Sequence, residues 1–429
     1  MGKIKNKIKK FFKILGPGVI TGAADDDPSG IATYTQAGAQ FGLGQLWSLL
    51  LTLPLMTAIQ EASARIGAVT GQGLASVIKK HYGKKIVYFM VFILLIANTV
   101  NIGTDLGAMA AATQLIIPAP FFIILLLFTI MILVLEIFTA YRTYQKILKW
   151  LALTLLAYPL TVIMLHASWS ELLIATFKPQ LEWSFMFFFV ITGVLGTTIS
   201  PYIFFWEASE EVENEKLSGR LRAGQLPRIS DRFISALRWD NFIGMLFSQF
   251  TAWCIVVVAA VVLHQNGLTD VSTAAEAAKS LEPLVNTFPN AGFLAKLIFT
   301  CGIVGLGLLA VPVLSGSSAY ALSETFNWRE GLNLKLKRAH GFYGVITIAT
   351  LVGLFINFIG LDPIKALVVT AVINGVVSIP LIFIITHIAG REDVMGKYRS
   401  GKLSKTLCWL TFLVMLAACV AMFTAMFLN

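Results

Sequence analysis

Charge is what this sequence has least of. Charged residues make up 13% of its 429 positions, about half the ~25% usual in a soluble domain, while 57% are hydrophobic and the mean hydropathy is +0.77. Such a composition excludes an ordinary water-soluble surface and points to a protein that crosses a membrane many times. Cysteine is scarce too: Cys254, Cys301, Cys408 and Cys419 stand singly in apolar stretches, without metal-type spacing. Buried packing is the expected role for such residues, not redox chemistry. The five histidines (81, 166, 264, 340 and 387) lie near membrane borders or in loops and build neither a metal cluster nor a nucleophilic triad. No G-x-x-x-x-G-K-[ST] loop is present, so ATP is not expected to drive the protein directly. Enzymatic constellations and cofactor motifs are absent, as is a low-complexity tract, and neither a second domain nor a removable signal peptide is expected.

Eleven apolar stretches are present, over 14–41, 45–66, 86–117, 119–140, 147–167, 184–206, 239–263, 292–318, 341–359, 363–388 and 406–428. Each is long enough for the ~20 residues that cross a bilayer. The weakest is 292–318, rich in glycine and interrupted by Pro312. With the N-terminus in the cytosol, 29 of the 33 Lys and Arg residues fall on the cytosolic side, leaving only Lys178, Lys279, Lys296 and Lys365 outside. Cytosolic excess of basic residues sets orientation. The expected arrangement is therefore eleven spans in the plasma (inner) membrane, N-terminus cytoplasmic and C-terminus extracytoplasmic. The net charge of +10 borders membrane spans, so anionic lipid headgroups, not nucleic acid, are its expected neighbours. Ile4, Ile8 and Phe11 or Phe12 share one face among lysines, the pattern of an interfacial helix. A short surface helix is expected within 268–284, and nothing demands more than a monomer.

Two of the apolar stretches are broken. The first carries Gly22-Ala23-Ala24-Asp25-Asp26-Asp27-Pro28-Ser29-Gly30 and the sixth Gly196-Thr197-Thr198-Ile199-Ser200-Pro201-Tyr202. Proline inside a helix removes a backbone bond and clashes with the preceding turn, and in a bilayer the freed groups are tolerated only beside protein or a watery cavity. Matching breaks in two halves are a sequence pointer to the binding site of a secondary transporter. Spans 1–5 (14–167) and 6–10 (184–388) then form two five-helix halves related by inversion, with span 11 (406–428) added. Val19-Ile20-Thr21-Gly22 recurs as Val190-Ile191-Thr192-Gly193 just before each break.

Ionisable groups at bilayer depth are costly and mark function. Asp27, next to Pro28, would stand beside unpaired carbonyls, and carboxylate plus carbonyl is an all-oxygen site for a hard cation. At 100° per residue, Asp25, Asp26 and Asp27 cannot share one cavity in a continuous helix, so one of the first two is expected to line the access vestibule. Across the gap, Thr197, Ser200 and Tyr202 bring hydroxyls around Pro201. Asp26, Asp105 and Asn374 are candidate ion-pathway residues, and Asn98 and Asn101 give the third span a wet face. Glu136 is read as structural, near Arg142, and Asp240 as an interfacial partner of Arg238.

Asp27-Pro28-Ser29-Gly30-Ile31-Ala32-Thr33 resembles the Asp-Pro-Gly-Asn motif of the NRAMP divalent-metal transporters. The likeness continues through Gln36-Ala37-Gly38-Ala39-Gln40-Phe41-Gly42, Ser63-Ala64-Arg65-Ile66-Gly67 and Thr104-Asp105-Leu106. The resemblance implies a LeuT-type 5+5 inverted repeat with helices 1 and 6 broken at mid-membrane, and uptake of a divalent metal. The departures are informative. Gly30 stands where the family has a coordinating Asn, Ser200 where it has Met, Tyr202 where it has His, and Ala108 where it has Glu. Span 9 holds no basic residue.

A thioether favours softer metals, and Mg2+ keeps several waters when bound through one or two carboxylates. The altered positions therefore resemble those of the NRAMP-related magnesium transporter branch. The expected ligand set has Asp27 as the principal charge, backbone oxygens from Ala24 and Thr197, Ser200 and Tyr202 orienting shell waters, and Gly30 supplying room. Without the family's proton-relay groups, uptake driven by membrane potential is expected, with Mn2+ also carried. The alternatives are a proton-coupled Mn2+/Fe2+ transporter using Asp105 and Asp25 or Asp26, a sodium-coupled organic-solute symporter on the same fold, and a non-transporting metal sensor.

Overall fold

The computed structural model describes residues 22, 25–138, 152–165, 167–221 and 225–428. All regular structure among them is helical. The first half comprises α1 (Pro28–Phe41), α2 (Leu46–Thr70), α3 (Leu74–Tyr82), α4 (Lys84–Gln114), α5 (Phe121–Phe138), α6 (Ala157–Met164) and α7 (Trp169–Phe177). The second comprises α8 (Phe185–Thr198), α9 (Pro201–Leu217), α10 (Asp231–Val262), α11 (Ala274–Lys279), α12 (Glu282–Val285), α13 (Ala291–Phe326), α14 (His340–Ile356) and α15 (Pro363–Gly390). A short α16 (Glu392–Met395) leads to the added helix α17 (Lys402–Leu428). Described helix covers part of each of the eleven expected spans, and among the described residues eight segments, α8 and α9 together forming one of them, are long and apolar enough to cross a bilayer. The interfacial helix expected before residue 14 lies outside the described residues.

Several bounds differ from the sequence reading for local reasons. The glycine-rich stretch around Pro312 is a continuous 36-residue helix, because its small residues let it pack closely against α4, α9 and α14. The sixth span does not end at 206: α9 runs on to Leu217 and carries Glu207 inside the protein, 5% exposed. The surface helix expected within 268–284 is the pair α11 and α12, the first opened by a Thr273–Glu276 capping box.

The broken helices sit at the centre. α1 packs on α10, α8 and α15, and α8 packs on α15. Small residues permit these contacts: a Cβ on Gly38 would lie 2.3 Å from the Val256 carbonyl, and one on Gly196 2.1 Å from that of Ala371. α17 lies outside, against α2, α8 and α15.

The basic end of the bundle is held by buried polar contacts between the halves. Glu324, at the end of α13, accepts from Ser209 Oγ at 2.7 Å and from the Ser76 backbone N–H at 3.2 Å. A carboxylate from one half thus serves the first turn of α3 in the other, supplying the acceptor that the Gly73 N-cap lacks. A side chain at residue 73 would occupy the same space, since its Cβ would fall 1.7 Å from Glu324 Oε1. Arg238 does not pair with Asp240. Two residues apart on a helix they point to opposite sides, and Arg238 turns to Glu61 at 2.9 Å. Glu136 accepts from Ser315 Oγ; the expected Arg142 lies outside the described residues.

Gly196→Ala is expected to cost about 1–3 kcal/mol through overpacking of the α8–α15 seam, seen as a lower midpoint of thermal unfolding in detergent. An unchanged midpoint would show that the seam can open.

Candidate substrate site

The first break is two residues long and leaves the helical path. Asp25 ends a helical segment, Asp26 sits in a bend and Asp27 is extended (φ −63°, ψ 172°) as the N-cap of α1, with Pro28 at the first helical position. Proline is tolerated there because its missing N–H would be unpaired anyway. Asp27 Oδ1 accepts from the Gly30 N–H at 2.9 Å and from Ser29 Oγ at 2.5 Å. The carboxylate closes its own helix, and the positive end of that helix in turn favours the anion. Its other oxygen accepts from Asn101 Nδ2 at 2.8 Å.

Asn101 joins three of the sequence-predicted residues. Its amide also reaches Asp105 Oδ2 at 3.4 Å, and its carbonyl accepts from Asn374 Nδ2 at 3.3 Å. Asn98, one turn earlier, points elsewhere and ties α4 to Leu314 and Ser318 on α13.

Leaving the helix also resolves the crowding of the three acids. All three are buried, but Asp25 and Asp26 turn together to Ser248 on α10, whose hydroxyl lies 3.4 and 3.0 Å from their oxygens. Neither lines an open vestibule, contrary to the sequence expectation. Asp25 is within electrostatic range of Glu207, and Asn241 donates to both oxygens of Glu207 at 3.1 and 3.2 Å. The sequence reading missed Ser248, Glu207 and Asn241. Ser248 and Gln249 are a polar pair inside an apolar span, a signal that was available; Glu207 was hidden by assignment to a loop.

At the second break α8 ends at Thr198 and Pro201 opens α9, with Ser200 between them. Ser200 Oγ donates to the carbonyls of Thr197 (2.7 Å) and Gly196 (3.1 Å). The hydroxyl expected to orient shell waters is thus directed at the carbonyls the break exposes. Tyr202 is fully buried, in electrostatic range of Asp27, Asp25 and Asp105, and its backbone carbonyl accepts from Ser317. Gly30 faces this break, but the expected room is taken up. A Cβ there would lie 3.1 Å from Thr197 Oγ1 and 3.3 Å from the Tyr34 ring. Ala24 lies outside the described residues.

Around these contacts stand buried oxygens with no hydrogen-bond partner among the described residues: Asp25 Oδ1, Asp26 Oδ2, Tyr34 Oη, Asp105 Oδ1, Thr197 Oγ1 and Asn374 Oδ1. Buried polar atoms are rarely left unpaired without a functional reason or an ordered water. No group of three His, Cys, Asp or Glu side chains converges as a ligand cage among the described residues. About 13 Å along α1, on the side away from the basic end, a cavity of about 380 Å3 is lined by Gln36, Gln40, Phe189, Asp270 and Lys365. Gln36 holds one wall of it, donating to the Thr269 carbonyl at 3.3 Å and accepting from the Val271 N–H at 2.9 Å.

Two facing helix breaks, oxygen-lined and enclosed by an all-helical membrane bundle, define a transporter of the LeuT-type inverted-repeat class. The chain belongs to the Nramp family (natural resistance-associated macrophage protein-like), which matches residues 18–425. It is 28% identical over 365 residues to the divalent metal cation transporter MntH of Klebsiella pneumoniae (strain 342), a match covering 84% of this chain and 81% of that one. In fold it is similar to the crystal structure of a manganese transporter from Eremococcus coleocola in complex with an aromatic bis-isothiourea substituted compound. There the TM-score is 0.74 at 16% identity, covering 97% of this chain and 88% of that one. It is also similar to MhsT in complex with L-phenylalanine, with a TM-score of 0.64 at 14% identity, covering 95% and 98%.

In a double-mutant cycle, Asn101→Leu and Asp27→Ala are expected to couple by about 1.5–3 kcal/mol, the range for a hydrogen bond to a charged group. Unfolding midpoints of the four proteins measure this, and additive effects would remove Asn101 from the Asp27 network.

Proposed function

We propose that this protein takes up Mg2+, and Mn2+ with it, by alternating access between the two broken helices, driven by membrane potential and not coupled to protons. The observation that carries this reading is the set of unpaired buried oxygens around Asp27 and Asn101. Carboxylate, amide and hydroxyl oxygens suit hard cations, and the atoms nearest a Cβ at Gly30 belong to the Thr197 hydroxyl, the Tyr34 ring and the Asp25 carbonyl. With Asp27 already accepting three hydrogen bonds, direct coordination by many protein ligands is disfavoured. A cation that keeps several waters would give the orphaned oxygens their donors. The printed names of the relatives, a divalent metal cation transporter and a manganese transporter, support a divalent cation as substrate.

The drive follows from charge. Two positive charges moving inward gain about 4.6 kcal/mol per 100 mV, enough to concentrate the ion without a second gradient. Ala108, where the family has Glu, is a buried core residue. The excess of basic residues in the loops of one side supports a cytoplasmic N-terminus and a C-terminus outside the plasma membrane. A second reading has its own support: the line of buried acids from Asp105 through Asp27 and Asp25 to Glu207 would serve a proton-coupled Mn2+ transporter.

Proteoliposomes carrying Mg2+ and pH reporters separate the two. The wild type is expected to show Mg2+ influx that rises with inside-negative potential while lumenal pH stays flat, and Asp27→Ala is expected to reduce influx to background. Acidification in step with metal uptake would favour the proton-coupled reading, and unchanged flux in Asp27→Ala would remove that residue from the site.

A further inference from the structure

A groove of about 500 Å3 opens on the outside of the bundle near its basic end, between α2, α10 and α17. Its walls are mostly apolar, with polar side chains gathered at one end. Pro54, Phe242 and Leu407 line one end, and Glu61, Arg238 and Ser404 the other. Along α2, from Glu61 to Pro54, it extends for two turns of helix, about 10 Å. Beside it Trp239 is 63% exposed, and exposed tryptophan where a basic loop meets an apolar span marks the headgroup level of a bilayer.

The polar end carries surplus positive charge. The Glu61 carboxylate receives Arg65 at 2.8 Å and Arg238 at 2.9 Å. Two guanidinium groups share one carboxylate, and only one of them reaches the surface: the Arg65 side chain is fully buried, whereas that of Arg238 is 52% exposed. The same end is the N-terminus of the 27-residue α17, where Leu403 and Ser404 line the groove. First-turn N–H groups have no acceptor within their own helix, and exposed Lys402 and Lys405 flank them. A half-exposed arginine, free first-turn amides and two lysines over an apolar channel match one occupant: a phosphate with an acyl chain attached.

We propose that this groove binds one anionic phospholipid, its phosphate between Arg238 and the first turn of α17 and its chain along Pro54, Phe242 and Leu407. The lipid then fastens α17 to the core, beside the Arg65 contacts that hold the Tyr398 carbonyl (2.5 Å) and Ser400 Oγ (2.9 Å) just before α17.

The test is thermal unfolding of the full-length protein in neutral detergent, followed by circular dichroism. Phosphatidylglycerol, phosphatidylcholine of the same chains, or glycerol phosphate is titrated in, and native mass spectrometry counts bound lipid. Phosphatidylglycerol is expected to raise the midpoint saturably with one lipid retained, and the other two are expected to do neither. Arg238→Gln is expected to weaken the lipid roughly fivefold, the share of one basic residue at an anionic surface (about 1 kcal/mol). Leu407→Trp, which fills the channel and leaves the Glu61 pair intact, is expected to abolish the rise. Arg338→Gln, on the same side but away from the groove, is expected to leave it unchanged. Equal effects of the two lipids, a response to glycerol phosphate alone, or a full response in Leu407→Trp would overturn the proposal. So would a concentration-dependent dimer lost in that variant, which would assign the groove to a second copy of the chain.

Discussion

Everything at the centre of this molecule depends on how one carboxylate is held. Asp27 closes the N-terminus of α1, takes the Ser29 hydroxyl and meets the Asn101 amide. A helix can begin in the middle of a bilayer only if its first amides find partners, and Asp27 supplies one of them from within its own turn. The charge is tolerable because the same amides, the helix dipole and an amide from α4 surround it. The break and the acid therefore require each other: without the carboxylate the helix end is bare, and without the helix end the carboxylate is stranded in apolar surroundings.

From that arrangement the rest of the site follows. Asn101 passes the contact to Asp105 and Asn374, so α1, α4 and α15 are joined by polar groups. On the opposite break Ser200 turns its hydroxyl back on the carbonyls of its own chain. The two breaks thus solve the same problem by opposite means: a carboxylate satisfies donors at one, and a hydroxyl satisfies acceptors at the other. What remains unsatisfied around them is oxygen, the donor atom that suits a hard cation.

Much of this was legible in the sequence, and what was not has specific causes. The spans, the breaks and the burial of Asp27 at the first of them could be read because proline and acid in apolar runs are expensive and must be explained. Asn101 and Asn374 were noticed as polar residues, but their partnership required knowing how α4 and α15 cross. The room expected at Gly30 was misjudged because a missing side chain says nothing about which neighbour moves in, and here Thr197 and Tyr34 do. Glu207 was taken for a loop residue because the charges that follow it mask a helix continuing to Leu217. Arg238 was assigned to its sequence neighbour Asp240, whereas helical geometry sends it to Glu61.

The contact between Gly73 and Glu324 has a consequence for how this protein can change over time. The carboxylate occupies the volume that any side chain at residue 73 would need, and residues 73 and 324 belong to opposite halves of the molecule. A larger residue at 73 is acceptable only with a shorter one at 324, and a shorter one at 324 leaves a first turn uncapped unless residue 73 becomes a capping residue itself. Serine or aspartate at 73 with alanine at 324 is the exchange that keeps the helix end satisfied. Among related chains these two positions are therefore expected to drift as a pair, a linked substitution recording a contact between halves that the sequence alone keeps far apart.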